Sequence, residues 1–390
     1  MYRRSAHLIS VLLLASTLSA GPSAFASSAV RGDWPKFQFD QGNSGFNRFE
    51  TIIGPSNVAS LTQAWEQDVG GSSSPSVANG VLYEGSRAFD AATGNLLWDA
   101  SVGTSFSVPA ISRGVVYVAT QGDLYALNAA TGQVRWKGST AGMLFSSPLV
   151  GDRLVYFQAS GVLFAFPTSC SDPCSPAWTD DLGKGDSSPA LINGVLYTTA
   201  RNGDMTGSTL YALDPATGTV EWTAGLPGTV LTAPTVAGGA VYVGYSDPAS
   251  LAAYPASCAT PCQPLWTHPT GAVVRRIAAA RGMVYAQVGG NNLDAFEAAT
   301  GGKVWEAILD PSFQGGSGSP SVANGVVYQM GAKGTLFAFD ASTGVQLFSA
   351  DMSNCTPSCM GVISSIPAIS NGVVYVRGAD LKVHAFHLGG

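Results

Sequence analysis

The chain has 390 residues, of which 11% are charged, and a formal net charge of −6. That charged fraction is well under the roughly 25% of an average protein, and no basic run occurs, which excludes a nucleic-acid surface built on Lys and Arg. With 46% hydrophobic residues and 47 glycines, the composition is that of a globular, turn-rich chain.

In chain order, Arg3 and Arg4 come first, then the apolar run "LISVLLLAS", then small residues ending in "AFA" at Ala24 to Ala26. This is the pattern of a secretory signal peptide over residues 1–26. The run is too short to span a bilayer, and no cysteine near the cleavage site offers a lipid anchor. The expected mature protein is secreted or extracytoplasmic, not lipid-anchored, without a transmembrane segment, and monomeric. An N-terminal lead-in covers residues 27–60.

From residue 61 to 390 two patterns alternate. The first is A-x-[DNE]-x-x-T-G-x-x-x-W, starting at Ala88, Ala126, Ala212 and Ala295, and at Ala338 with Phe348 in place of Trp. Two more copies keep Ala165 and Ala253 with Trp178 and Trp266 but carry longer turns, "PTSCSDPCSPA" and "PASCATPCQPL". The second pattern is a proline followed eight residues later by tyrosine, at Pro75, Pro109, Pro148, Pro189, Pro234, Pro320 and Pro367; the remaining copy has Ile277 before Tyr285. That makes eight copies.

Each unit holds four short stretches of β-branched and aromatic residues alternating with small ones, punctuated by "NG", "GG", "RG" and "TG". No long segment of helical period appears. Four antiparallel strands per repeat predict an all-β, eight-bladed β-propeller. The last unit, ending "VHAFHLGG", has three strands, and the strand around Trp65 belongs to no unit. The N-terminal strand is therefore expected to complete the last blade and remove the open edges. Thr-Gly makes a tight turn, Ala leaves room, and each repeat Trp fills the gap between blades.

Six cysteines form three C-x3-C pairs, Cys170/Cys174, Cys258/Cys262 and Cys355/Cys359. In an exported chain these predict three short-loop disulfides, each worth about 2 kcal/mol on the loop-entropy view. A zinc site is disfavoured because the usual spacing is tighter and no histidines cluster nearby.

The A-x-D-x-x-T-G-x-x-x-W repeat resembles that of the pyrroloquinoline-quinone (PQQ) repeat propellers, over residues 61 to 390, and the segment "DWPKFQFDQGNSGFNRF" resembles the opening of many secreted members. The resemblance implies the fold. It does not imply one activity, since the family includes quinoprotein dehydrogenases, outer-membrane assembly lipoproteins, sensor domains and secreted proteins of other kinds. The dehydrogenases carry an adjacent Cys-Cys pair over the cofactor, with a Trp floor and carboxylates around calcium. This chain has no Cys-Cys and no C-x-x-C-H haem site.

A Ser-His-acid triad would have to draw on His268, His384 or His387, which stand apart in sequence. "DDLGKGD", with Asp180, Asp181 and Asp186, sits in an inter-blade loop and lacks the spacing of a calcium loop. The reading is a secreted, non-enzymatic binding scaffold with no cofactor, whose partner is a protein or a small anionic or glycan ligand. The alternative is a PQQ-dependent oxidoreductase with a divergent site, and only that reading calls for PQQ and calcium.

One blade departs from the pattern. Before the repeat proline the blades have small or apolar residues, such as Ser187-Ser188; the sixth has Arg275-Arg276. A solvated pair at a loop end is the plain explanation. The sharper one is a carboxylate or phosphate ligand held by Arg forks, helped by Arg377, Gln158 and Gln287, each two residues after its repeat tyrosine.

Overall fold

The computed structural model describes residues 32–70, 73–140, 146–204, 206–230, 232–309, 318–352 and 365–389. The signal segment lies outside these residues. Eight antiparallel sheets form the blades, spanning residues 76–99, 110–139, 149–181, 190–226, 235–269, 274–308, 321–351 and 368–388, numbered here 1 to 8. The 3-10 turn Val58–Ser60 is the one helical element among the described residues.

The hairpins follow from turn chemistry. Seven blades join their first two strands through two residues of positive φ, as at Asn79 and Gly80 (54° and 74°) or Asn193 and Gly194 (52° and 79°). This is the backbone of a type I′ turn, whose twist matches that of the strands it joins. Arg113 and Arg281 adopt the same left-handed conformation, at φ 50° each.

The Thr-Gly signature is explained by the neighbouring blade. In blade 1 the Asp90 carboxylate accepts the Thr93 amide at 2.8 Å and its hydroxyl at 2.9 Å, which fixes the turn. Gly94 follows with φ 75°, and a Cβ there would lie 2.8 Å from the Trp65 ring of blade 8. The same approach recurs for Gly132 on Trp98, Gly218 on Trp178, Gly301 on Trp266 and Gly344 on Trp305. The Trp98 indole N–H donates to the Ala129 carbonyl at 3.0 Å, and Trp266 donates to Ala298 at 3.0 Å. The repeat tyrosines converge on these turns as well, with Tyr285 and Trp305 both donating to the Ala341 carbonyl. Five blades thus dock an indole on the next blade's Thr-Gly turn, and only glycine leaves the ring room to lie flat.

Where the turn is longer, a disulfide takes over. Cys170–Cys174 and Cys258–Cys262 are closed within themselves, with Cα atoms 5.6 Å apart in each. Cys174 donates its amide to the Lys137 carbonyl of blade 2, and Cys262 donates to Thr223 of blade 4. The facing indoles, Trp136 and Trp222, are buried beside them. The expectation of three disulfides is thus met for two. The third, Cys355 with Cys359, is not among the bridges of the structure, because both Cys355 and Cys359 lie outside the described residues. This pair also differs in place from the other two: it follows the Gln346–Asp351 strand rather than replacing a Thr-Gly turn, so the turn argument does not extend to Cys359.

The ring closes as expected. Leu61–Asp68 runs antiparallel to Lys382–Leu388, with Trp65 opposite Ala385. Two side-chain links reinforce the seam: Lys382 pairs with Glu66, and the buried His384 bonds Gln63 on the closing strand at 3.1 Å.

Candidate functional site: a channel plugged from one side

The first strand of each blade faces the centre, and these strands touch one another around the ring. Their inner edges would leave unpaired amides and carbonyls along the channel. The N-terminal segment satisfies them. Trp34 exchanges amide and carbonyl bonds with Val77 of blade 1, and the Pro35 carbonyl accepts from Ile111 of blade 2. The carbonyls of Gln41, Gly42, Ser44 and Gly45 accept from Leu191, Val236, Ala279 and Val322 of blades 4 to 7. The Gln41 and Asn47 side chains donate to the carbonyls of Val150 in blade 3 and Ile369 in blade 8. In every blade the partner is the second residue after the repeat proline, or after Ile277 in blade 6. Residues 34–47 therefore form a plug that reads all eight blades in turn. Gly42 is required by the approach: a Cβ would stand 2.5 Å from the Val236 carbonyl.

Inside the plug Lys36 is 7% exposed. Its ammonium donates to the carbonyls of Phe37 and Asp40 and to Asn43 Oδ1 at 2.6, 2.7 and 2.7 Å. Burial pushes its pKa down to about 7, against the pull of Asp40. Asn43 in turn donates to the carbonyls of Ser188, Pro189 and Pro234.

Next to this contact lies a cavity of about 200 Å³ walled by blades 4, 5 and 6, with Phe37 of the plug on its lining. Lys184, Arg201 and Arg276 contribute cations and Asp186 one carboxylate. Asp186 Oδ1 accepts the Ser160 amide at 2.6 Å, and burial raises its pKa despite the nearby Arg201.

The structure divides the five residues singled out above. Arg276 is half-buried on the cavity wall, folded so that Nη1 donates to the Arg275 carbonyl at 3.1 Å, while Arg275 is exposed. Gln287 is buried directly across the strand from Arg276. Gln158 is fully enclosed: it donates to the carbonyls of Gly185 and Thr199 and accepts from the Thr198 hydroxyl at 2.6 Å, so it joins blade 3 to blade 4. Arg377 stands apart in blade 8, 8% exposed, with Nε unbonded among the described residues; burial lowers its pKa against the pull of Glu84 of blade 1. Of the five, Arg276 lines the cavity, Arg377 stands in blade 8 and Gln158 joins blades 3 and 4.

Sequence reasoning missed Glu84. It is 1% exposed; Oε1 accepts the Ser73 amide at 3.0 Å, Oε2 has no hydrogen-bond partner among the described residues, and burial pushes its pKa up to about 7. Its position after Tyr83 is apolar or small in most blades, and that departure from the repeat was the available signal. Because the folded-state pKa lies above the unfolded value, the folded chain holds the extra proton between about pH 4.5 and 7, and Glu84 costs stability above that window. Glu84→Gln should raise unfolding free energy at pH 8 by about 2 kcal/mol and change it little at pH 4. Denaturant titrations at the two pH values check this, and a uniform loss at both would contradict it.

The remaining titratable groups are structural. His384 Nε2 lies 3.1 Å from both Asp380 oxygens, Glu66 is near, and the three form the one metal-like grouping among the described residues. Glu66 is already paired with Lys382, and both ring nitrogens of His384 have partners. His268 packs edge-on against Phe296, and His387 is exposed. The acidic stretch is split: Asp180 and Asp181 end the strand Trp178–Asp181, and Asp186 alone reaches the cavity.

Comparison with known proteins agrees with this architecture. Residues 84–166, 174–271 and 262–389 match the family described as outer membrane protein assembly factor BamB. Among curated proteins, the chain is 30% identical over 162 residues to the quinohemoprotein alcohol dehydrogenase of Comamonas testosteroni, covering 32% of this chain and 23% of that one. It is 30% identical over 190 residues to the assembly factor BamB of Legionella pneumophila, covering 44% of this chain and 48% of that one. The matched regions thus span less than half of either relative. Among solved structures, BamB from Moraxella catarrhalis superposes with a TM-score of 0.63 at 18% identity, covering 84% of this chain and 99% of that one. The Comamonas testosteroni dehydrogenase gives 0.71 at 17% identity, covering 93% and 81%. At these identities the likeness shows the fold.

Proposed function

The chain belongs to the PQQ-repeat β-propeller family, and from that premise we propose that it is an exported, non-enzymatic binding scaffold that holds a partner or small ligand at its central channel. The observation that carries this reading is the donor set of the cavity beside the plug. Three cations face one carboxylate there, and that carboxylate is already committed to the Ser160 amide. Calcium takes six to eight oxygen ligands, and the cations Lys184, Arg201 and Arg276 would repel it. The one aromatic ring on the lining is the phenyl of Phe37, not an indole that could form a floor for a quinone. These residues do not fit a calcium–quinone pair, so no redox step is assigned to them. His268, His384 and His387, placed on blades 5 and 8, are absent from the residues lining this cavity. Relatives named as assembly factors make a protein partner a natural occupant of such a scaffold.

Mixing the purified protein with PQQ and calcium tests the reading. The expected result is no bound quinone spectrum and no dye reduction with alcohols or sugars. Substrate-dependent dye reduction would establish the oxidoreductase instead.

A further inference from the structure

We propose that the cavity between blades 4, 5 and 6 binds a small organic carboxylate, an assignment that rests on the scaffold reading and gives it a ligand class. Hydroxyls join several neighbouring blades around the channel. At the residue before the repeat proline, Ser147 Oγ of blade 3 accepts the Val108 amide of blade 2 at 3.0 Å. Ser188 Oγ of blade 4 accepts the Ser147 amide at 2.9 Å, and Ser74 Oγ of blade 1 accepts the Ile366 amide of blade 8 at 2.9 Å. Three of the four serines at this position thus tie their blade to the preceding one; Ser319 of blade 7 makes no such bond among the described residues.

In blade 6 the position is Arg276. Blades 2, 5 and 8 also lack a hydroxyl there, with Val108, Ala233 and Ile366, but Arg276 is the one charged residue at the eight positions, and it lies on the cavity wall.

The surroundings are rich in donors and poor in acceptors. Ser188, 7% exposed and on the lining, accepts the Ser147 amide, and among the described residues its own O–H has no acceptor. Neither Arg201 nor Lys184 forms an ion pair among the described residues. A carboxylate supplies the missing acceptors, and two guanidiniums can approach it as forks. The rest of the lining is apolar, with Phe37, Ala200, Val230 and Ala233 offering contact to a short hydrocarbon body. That favours an organic acid over inorganic phosphate, which has no such body. The volume, about 200 Å³, suits a molecule of modest size. Phe37 of the plug forms part of the cavity wall.

Calorimetry on the full mature chain tests this, with propionate, succinate and benzoate as probes and phosphate and methylammonium for comparison. At least one carboxylate should bind more tightly than phosphate, and methylammonium should not bind. Arg276→Ser restores the repeat residue and so should fold, yet it should weaken that carboxylate by about tenfold or more. Arg201→Gln, on a neighbouring wall, should do the same with an unchanged melting curve. The proposal is overturned if no carboxylate binds, if phosphate binds most tightly, or if both variants bind like the native chain. Each of those results leaves the scaffold reading standing, because that reading fails only on quinone-dependent dye reduction.

Discussion

Removing residues 27–69 should abolish the single cooperative unfolding transition of this protein. The deletion takes away two devices at once. The closing strand Leu61–Asp68 is the outer strand of blade 8, and its Trp65 packs on Gly94 and donates to the Ala91 carbonyl of blade 1. Without it, blade 8 presents an unpaired strand, Lys382–Leu388, and the ring loses the contact that makes it closed. The plug goes too, leaving the inner amides of Leu191, Val236, Ala279 and Val322 facing the channel without partners. Repeat architectures are stabilised mainly by neighbour interfaces, so opening the ring at one seam exposes two edges and lets the blades unfold from either. Circular dichroism should show a broad transition with the midpoint lowered by roughly 20 °C or more, and the sample should aggregate through its new edges. A truncated chain that melted as sharply and at the same temperature would show that closure contributes little.

The second large effect is expected at a single residue. Lys36→Met should cost about 3 kcal/mol or more, because the carbonyls of Phe37 and Asp40 and the Asn43 amide oxygen lose their donor together. Asn43 would then be less well aimed at blades 4 and 5. The effect carries a pH signature. The folded-state pKa, about 7, lies below the ordinary value of 10.5, so between these limits the unfolded chain binds the extra proton. Stability from this residue therefore rises with pH across the window and is least below it. The gap between the native chain and Lys36→Met should widen by about 1 kcal/mol per pH unit from pH 7 to 9. Urea unfolding at pH 7, 8 and 9 measures it. A constant gap would mean that the amine keeps its proton in the fold, and a gap near zero would mean that the plug is not anchored through Lys36.

The number of blades, the order of strands and the closing partner of Trp65 were all legible in the chain itself. Each rests on a local pattern repeated many times: paired residues of positive φ at the hairpins, an Asp-capped Thr-Gly turn, and an aromatic at fixed distance. A signal repeated in eight copies survives the irregularity of any one of them. The pairing within Cys170/Cys174 and Cys258/Cys262 was legible for a similar reason, since each pair replaces a turn whose ends already meet. Cys355 and Cys359 share the spacing but not the turn, and the structure does not describe them, so the bridge expected between Cys355 and Cys359 rests on spacing alone.

The site was only half legible. Arg275-Arg276 stood out against seven small or apolar pairs, and Arg276 does reach the channel. Gln158 stood out in the same way yet spends its amide on the backbone of blade 4. Sequence reports that a residue departs from a repeat, but whether the spare group faces a cavity or a neighbouring carbonyl depends on the next blade's backbone. The plug was the least visible feature. Its residues follow no repeat, and its bonds join Asn43 to Pro189 and Pro234, positions that no local pattern connects. Local periodicity determined the ring, because every blade solves the same packing problem with the same residues. The tertiary structure alone decided how the centre is filled, because a single aperiodic segment must satisfy eight inner edges at once.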